Sequence, residues 1–224
     1  SSAGARKRTA NTVGSIPSGS KRMLSPGKDH EYVPRDFKKN IRYRIALLER
    51  AKDDRTFQKG VLEACKEDIL FWINSLVLQV NPNKNEVGPF ITWHCQEKAI
   101  YQILEWIEIK TDFVVEKSRE MGATWLLLII TDWLRRFFPY HDSLIMSKSA
   151  LAVDGPSHQS LFGKLRFINR HLPLWVHDPW TFRDQKNFMG YPDTHSTLMG
   201  FASTGKAGVS ERGAEMMIDE FTQI

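Results

Sequence analysis

Apolar positions along this chain follow two rhythms, and the change between them sets out its organisation. From Pro34 onward Phe37, Ile41, Ile45 and Leu48 recur at helical spacing, and Val61, Leu62, Cys65, Ile69, Phe71, Trp72 and Leu76 continue the pattern. This predicts two amphipathic helices split near Asp53-Asp54, the second ended by Asn81-Pro82-Asn83. A turn at Gly88-Pro89, the segment Phe90 to Gln96 and a helix from about Gln96 to Ile109 come next. Short apolar runs of strand type then appear at Asp112 to Val115, Ser143 to Ser147 and Ala214 to Ile218, with extended pieces at Asn187 to Tyr191 and Thr197 to Phe201. Between the first two runs an apolar helix opens at Gly122 and includes Trp125 to Ile130. Another spans Gln159 to His171 and is stopped by Pro173; its buried stripe is Leu161, Phe162, Leu165 and Ile168, with Lys164 and Arg166 read as solvated rather than bound to DNA.

The expected fold is therefore α/β, a mostly parallel sheet flanked by helices, with an N-terminal helical extension and a disordered basic tail. The divisions fall at residues 1–33 for the tail, 34–86 for the helical region and 87–224 for the α/β domain. The 224 residues suffice for one sizeable core plus an extension. The net charge of +5 sits in the tail, where Arg6, Lys7, Arg8, Lys21, Arg22 and Lys28 face Asp29 alone; the remainder balances. Such a tail reads either as an arm that touches DNA or as a plain unstructured or processed extension. Cys65 and Cys95 are too few for a disulfide framework, which suits a reducing compartment, and the seven histidines lack a metal-ligand spacing. The run Trp125 to Ile130 is far short of the ~20 apolar residues that cross a bilayer. No membrane association is expected.

The chemistry concentrates between the run at Asp112 and the helix at Gly122. Lys117, Ser118, Arg119, Glu120, Met121, Gly122, Ala123 and Thr124 have the length and closing residues of the phosphate-binding loop G-x-x-x-x-G-K-[ST]. Lys117 stands in place of the first glycine and Ala123 in place of the usual lysine. Gly122 lets backbone approach a phosphate, the helix start offers free N–H groups, and Thr124 places a hydroxyl where Mg²⁺ would sit. Lys117 or Arg119 supplies the missing cation from the front of the loop. By itself the stretch also reads as an ordinary strand-to-helix connection. The second half is Asp219-Glu220, at the carboxyl end of the last apolar run. There Asp219 would hold the metal and Glu220 would orient or deprotonate an attacking water. Gln96 offers a donor and an acceptor to adenine, or is simply a helix-start glutamine. The small-residue loop Ala202 to Gly213 precedes the acidic pair; its Lys206 and Arg212 touch phosphate or DNA, or lie in a surface connection.

In order and wording these segments resemble the ATPase half of the large terminase subunit of tailed bacteriophages, the motor that pumps DNA into empty capsids. The likeness is carried by Asp68 to Asn74 leading to Asn81-Pro82, by Pro89 to Trp93 with Gln96, by Lys117 to Thr124, and by Gly200 to Gly213 running into Met217 to Glu220. It covers roughly residues 60 to 224. Many members of that family carry a phosphate loop with the lysine moved to the front, as Lys117 is.

The resemblance implies a P-loop NTPase-type fold binding ATP and Mg²⁺, with Gln96 as adenine reader, Lys117 as displaced lysine and Arg119 acting on the γ-phosphate. It implies Thr124 and Asp219 at the metal and Glu220 as catalytic carboxylate. It further implies double-stranded DNA, a portal protein and a small terminase subunit as partners, a homo-oligomeric ring, and work at the procapsid portal in the host cytoplasm. The sequence stops at Ile224, and the coupling motif and nuclease domain that complete such subunits have no counterpart in it. The rival expectations are a catalytically incomplete nucleotide-binding or docking fragment, and another P-loop enzyme such as a helicase-like ATPase or a small-molecule kinase.

Overall fold

A computed structural model describes residues 27–81, 86–116, 122–177, 182–203 and 215–219. Its first layer is helical. Helix α1 (Phe37–Ala51) starts where Asp36 accepts the Lys39 N–H, and α2 (Arg55–Glu67) where Asp54 accepts the Phe57 N–H. The second expected helix is in fact two. Asp68 takes an extended conformation, closes α2, and its carboxylate accepts the N–H groups of Leu70 and Phe71 to open α3 (Ile69–Leu76). Every residue of α3 is buried, so this short helix forms the centre of the layer rather than a face of it.

The chain then forms a small hairpin, β1 (Leu78–Asn81) antiparallel to β2 (Glu86–Pro89), where a helix end and a turn were expected. Pro82 and Asn83 lie outside the described residues. Arg44, buried on α1, ties the layer together: it donates to Asn40 Oδ1 and to the carbonyls of Val77, Ile73 and Phe90. Burial brings its guanidinium down to about 9. The expected tail begins to fold before residue 33. A 3₁₀ turn at Asp29–Tyr32 sets His30 against Asp68 and leads into buried Val33, while residues 1–26 lie outside the described part.

Helix α4 (His94–Glu108) and helix α5 (Ala123–Phe137) follow, then strand β3 (Ser143–Ser147), which falls where the apolar run placed it. The short α6 (Ala150–Asp154) and α7 (Leu161–Arg170) come next; in α7 the stripe Leu161, Phe162, Leu165 and Ile168 is buried as expected. Strands β4 (Arg183–Gln185), β5 (Phe188–Tyr191), β6 (Ser196–Ala202) and β7 (Glu215–Ile218) complete a five-stranded sheet of order β4-β5-β6-β3-β7. This architecture is α/β. The sheet is mixed rather than mostly parallel: β6, β3 and β7 run parallel, while β4-β5 and β5-β6 are antiparallel.

The predicted strand over Asp112 to Val115 is absent. Residues 111–116 have no strand partner among the described residues, and Val114 is 82% exposed. Phe113 instead stacks on Trp106, with ring centroids 5.0 Å apart. Apolar composition makes a strand only where a neighbour completes the ladder, and among the described residues β7 pairs with β3 alone.

Helix α5 joins the layers because none of its residues is exposed. Leu126, Ile129, Ile130, Trp133 and Leu134 belong to the core shared with α1 to α4. On its other side Leu128 packs with Ile145, Leu198 and Met217 of the sheet. Trp133 Nε1–H donates to the Cys65 carbonyl at 2.7 Å, anchoring α5 to the end of α2. Among the described residues no helix is long and apolar enough to cross a membrane.

Candidate functional site

Because β3, β6 and β7 are parallel, their carboxyl ends lie along one edge of the sheet, the edge where ligands bind in open α/β folds. The ladder continues just past the strands there. Ser203 N–H donates to the Ser147 carbonyl at 3.0 Å and Asp219 N–H to the Met146 carbonyl at 2.9 Å. Asp219 is thus held by its backbone at the end of β7. The amino end of α5 meets the same edge, and Thr124 Oγ1 donates to Asp219 Oδ1 at 3.0 Å.

The start of α5 differs from those of α1, α2, α3, α6 and α7, while α4, preceded by Trp93, likewise has no side-chain cap bond. Helices α1, α2 and α3 open on aspartates and α6 and α7 on serines, each accepting a backbone N–H. The residue before α5 is Gly122, in the left-handed region at φ 69°, with no side chain to cap the helix. The first-turn N–H groups have no intrahelical acceptors, and with the helix dipole they favour an anion.

Gln96 comes to this corner from α4. It is only 9% exposed, its Oε1 accepts the Trp93 N–H at 2.9 Å, and its amide nitrogen lies 3.6 Å from where a Cβ on Gly122 would stand. Both alternatives for Gln96 therefore meet at one place: it does complete a helix start, and it also adjoins the candidate loop. The segment leading into α4 is rigidly held. Thr92 N–H donates to Asn74 Oδ1, its hydroxyl donates to Glu97, and Arg35 reaches both Thr92 Oγ1 at 2.9 Å and Glu97 at 2.7 Å.

Of the predicted site residues, the structure brings together Gln96, Gly122, Ala123, Thr124 and Asp219. Lys117, Ser118, Arg119, Glu120, Met121 and Glu220 lie outside the described residues, as do Lys206 and Arg212. Thr124 and Asp219 offer a hydroxyl and a carboxylate, hard oxygen donors suited to Mg²⁺. Among the described residues no group of three or more His, Cys, Asp or Glu could hold a metal ion. That spare donor set fits Mg²⁺, which keeps waters and substrate phosphates among its ligands and needs few protein ones. No protein-family model and no curated protein matches the chain.

Other polar features escaped the sequence reading. Ser147, Lys148 and Ser203 border the same carboxyl edge, a place legible only once β3 and β6 are known to be parallel neighbours. At the opposite end of β7 Glu215, its side chain 12% exposed, accepts the Ser143 hydroxyl at 2.8 Å, and stands 3.8 Å from Arg135 and 3.7 Å from His141, ion-pair rather than hydrogen-bond distances. Burial by itself pushes the Glu215 carboxyl up, but His141, Arg135 and the Ser143 hydroxyl more than offset it and hold the group below the usual carboxylate range. Arg166, expected to be solvated, instead bridges Asp154 and Asp184. It is the cation most visible in the sequence of α7, and these two carboxylates neutralise it.

Proposed function

We propose that this chain is the ATP-hydrolysing motor region of a DNA-packaging terminase large subunit. The observation that carries the reading is the Thr124–Asp219 hydrogen bond, which joins the end of the candidate phosphate loop to the first carboxylate of the acidic pair at the carboxyl edge of parallel strands. A strand-to-helix connection of the ordinary kind gives no reason for those two groups to meet. The uncapped start of α5 and the placement of Gln96 beside Gly122 support the same reading.

In this proposal the α5 N–H groups and Lys117 bind the triphosphate, and Arg119 neutralises charge that develops on the γ-phosphoryl group. Thr124 and Asp219 hold Mg²⁺, which when bound neutralises the phosphate oxygens. Glu220 orients the attacking water and takes its proton. Duplex DNA is the proposed cargo, a portal protein and a small terminase subunit the proposed docking partners, and a homo-oligomeric ring at the procapsid in the host cytoplasm the proposed assembly.

The test is nucleotide binding and phosphate release by the chain with Mg²⁺, with and without duplex DNA. Binding that Lys117→Ala abolishes, and turnover that Glu220→Gln blocks while binding persists, are the expected results. Binding without turnover in the parent would instead support a nucleotide-binding docking module. Phosphate transfer to a small acceptor would support a kinase.

A further inference from the structure

We propose that the apolar stripe of α1 docks an acidic amphipathic helix of a partner protein, an inference that does not rest on the nucleotide reading above. Phe37, Ile41, Ile45 and Leu48 recur at helical spacing and fall within an arc of about 80° on one side of the helix. A helix with such a stripe ordinarily buries it against its own domain. Here α1 turns Asn40, Arg44, Leu47 and Ala51 inward instead, and leaves Phe37 56%, Ile45 51% and Leu48 40% exposed. Among the described residues none of the four stripe positions belongs to either apolar core.

Charge decides what covers the stripe. It runs between the docked face of α1 and a basic flank, where Lys38 and Arg42 are exposed about one turn apart. Like charges at that spacing repel, and among the described residues neither has an ion-pair partner. Glu49 is the one acid within α1, and exposed Lys52 follows the helix end. Residues 1–26 of the chain carry Arg6, Lys7, Arg8, Lys21 and Arg22 and no carboxylate, so this flank repels them. A second copy would set the same cations face to face. Duplex DNA would take up the cations but leave the stripe in water. A lipid surface takes a helix by its whole apolar face, and the inner face of α1 is already committed to the core. A helix with apolar residues at matching spacing and Asp or Glu along its edges meets both demands. It removes the stripe from water and supplies counter-charges for Lys38 and Arg42.

The probe is a peptide of about three heptads with leucine at a and d and glutamate at e and g, set against the same peptide with lysine at e and g. Calorimetric titration of the chain should show saturable binding of the glutamate peptide, tighter than the lysine peptide by about tenfold or more. Ile45→Gln combined with Leu48→Gln is expected to weaken that binding about tenfold or more and to keep the thermal midpoint of the parent, since both side chains are exposed. Lys38→Glu combined with Arg42→Glu should invert the preference between the two peptides. No binding of the glutamate peptide, equal binding of both peptides, or equal binding by the parent and the glutamine variant would overturn the proposal. So would self-association of the parent that the glutamine variant loses, or binding to phosphatidylglycerol vesicles in place of the peptide. Nucleotide enters none of these readouts, so this proposal and the nucleotide reading fail separately.

Discussion

Thr124 and Asp219, 95 residues apart in the chain, share a 3.0 Å hydrogen bond at the junction of α5 and β7. The bond is partly buried and its acceptor is a carboxylate, so it adds a side-chain link between α5 and β7 to the backbone bond that already holds Asp219. Thr124→Ala removes both this link and the hydroxyl that the proposed function assigns to Mg²⁺. Mg·ATP affinity should fall about tenfold or more, and unfolding in urea should show a loss of about 1–2 kcal/mol. Thr124→Ser keeps the hydroxyl and should stay close to the parent in both measurements.

Glu215 predicts a pH dependence. Its carboxyl is held below its ordinary value of 4.5, so the folded state binds the proton more weakly than the unfolded chain. The stabilisation is present above pH 4.5 and is lost as pH falls through the lower, folded value. Thermal melts of the parent and of Glu215→Gln should therefore differ most above pH 5 and converge in stronger acid. A constant difference across the range would place the stabilisation in packing rather than charge.

Arg135 is fully buried, and among the described residues its three guanidinium nitrogens have no hydrogen-bond partner; the Glu215 carboxylate stands 3.8 Å away. Arg135→Met should destabilise by about 1–3 kcal/mol, because the partly buried Glu215 then loses one of its two cationic neighbours and keeps only His141. The double variant Arg135→Met, Glu215→Gln should recover most of that loss, since neither charge then needs compensation. A double-mutant cycle in urea reads the coupling directly.

Gly122 sits at φ 69°, and among the described residues a Cβ there would meet Gln96 Nε2 alone, at an ordinary contact distance of 3.6 Å. Space is available, so the cost of Gly122→Ala should be backbone strain alone, about 1–2 kcal/mol. Gly122→Asn should cost less, because asparagine tolerates the left-handed region. Chemical denaturation of the two variants side by side gives the comparison.

Asp68 is buried and serves two partners, accepting the Leu70 and Phe71 N–H groups on one oxygen and His30 on the other. Asp68→Ala should cost about 2–4 kcal/mol, since it leaves buried N–H groups at the start of α3 unpaired. It should also free residues 27–33 from the core, which limited proteolysis would register as new cleavage after Lys28 or Tyr32.

Local order was legible without the structure. Strand β3, helix α4 and the buried stripe of α7 lie where periodicity put them, because each depends on neighbours within a few residues. The break at Asp68 was missed although its cause is local: an aspartate able to cap a new helix was hidden inside an unbroken apolar rhythm. The residue types of the candidate site, a glycine before an apolar helix, a threonine two residues on and an acidic pair after a strand, were likewise visible.

Partnership was not. Nothing in the run at Asp112 to Val115 says that it stays unpaired while an equally apolar run at Ser143 takes two parallel neighbours. Nor does the spacing of Arg166 reveal the carboxylates that neutralise it. The amino-acid sequence by itself determined helices α1, α4, α5 and α7 and strands β3, β5, β6 and β7, and it supplied the residue types of the candidate site. Tertiary structure alone decided that Thr124 meets Asp219, because the register of β7 on β3 and the seat of α5 between two cores depend on packing between segments far apart in the chain, which no local pattern records.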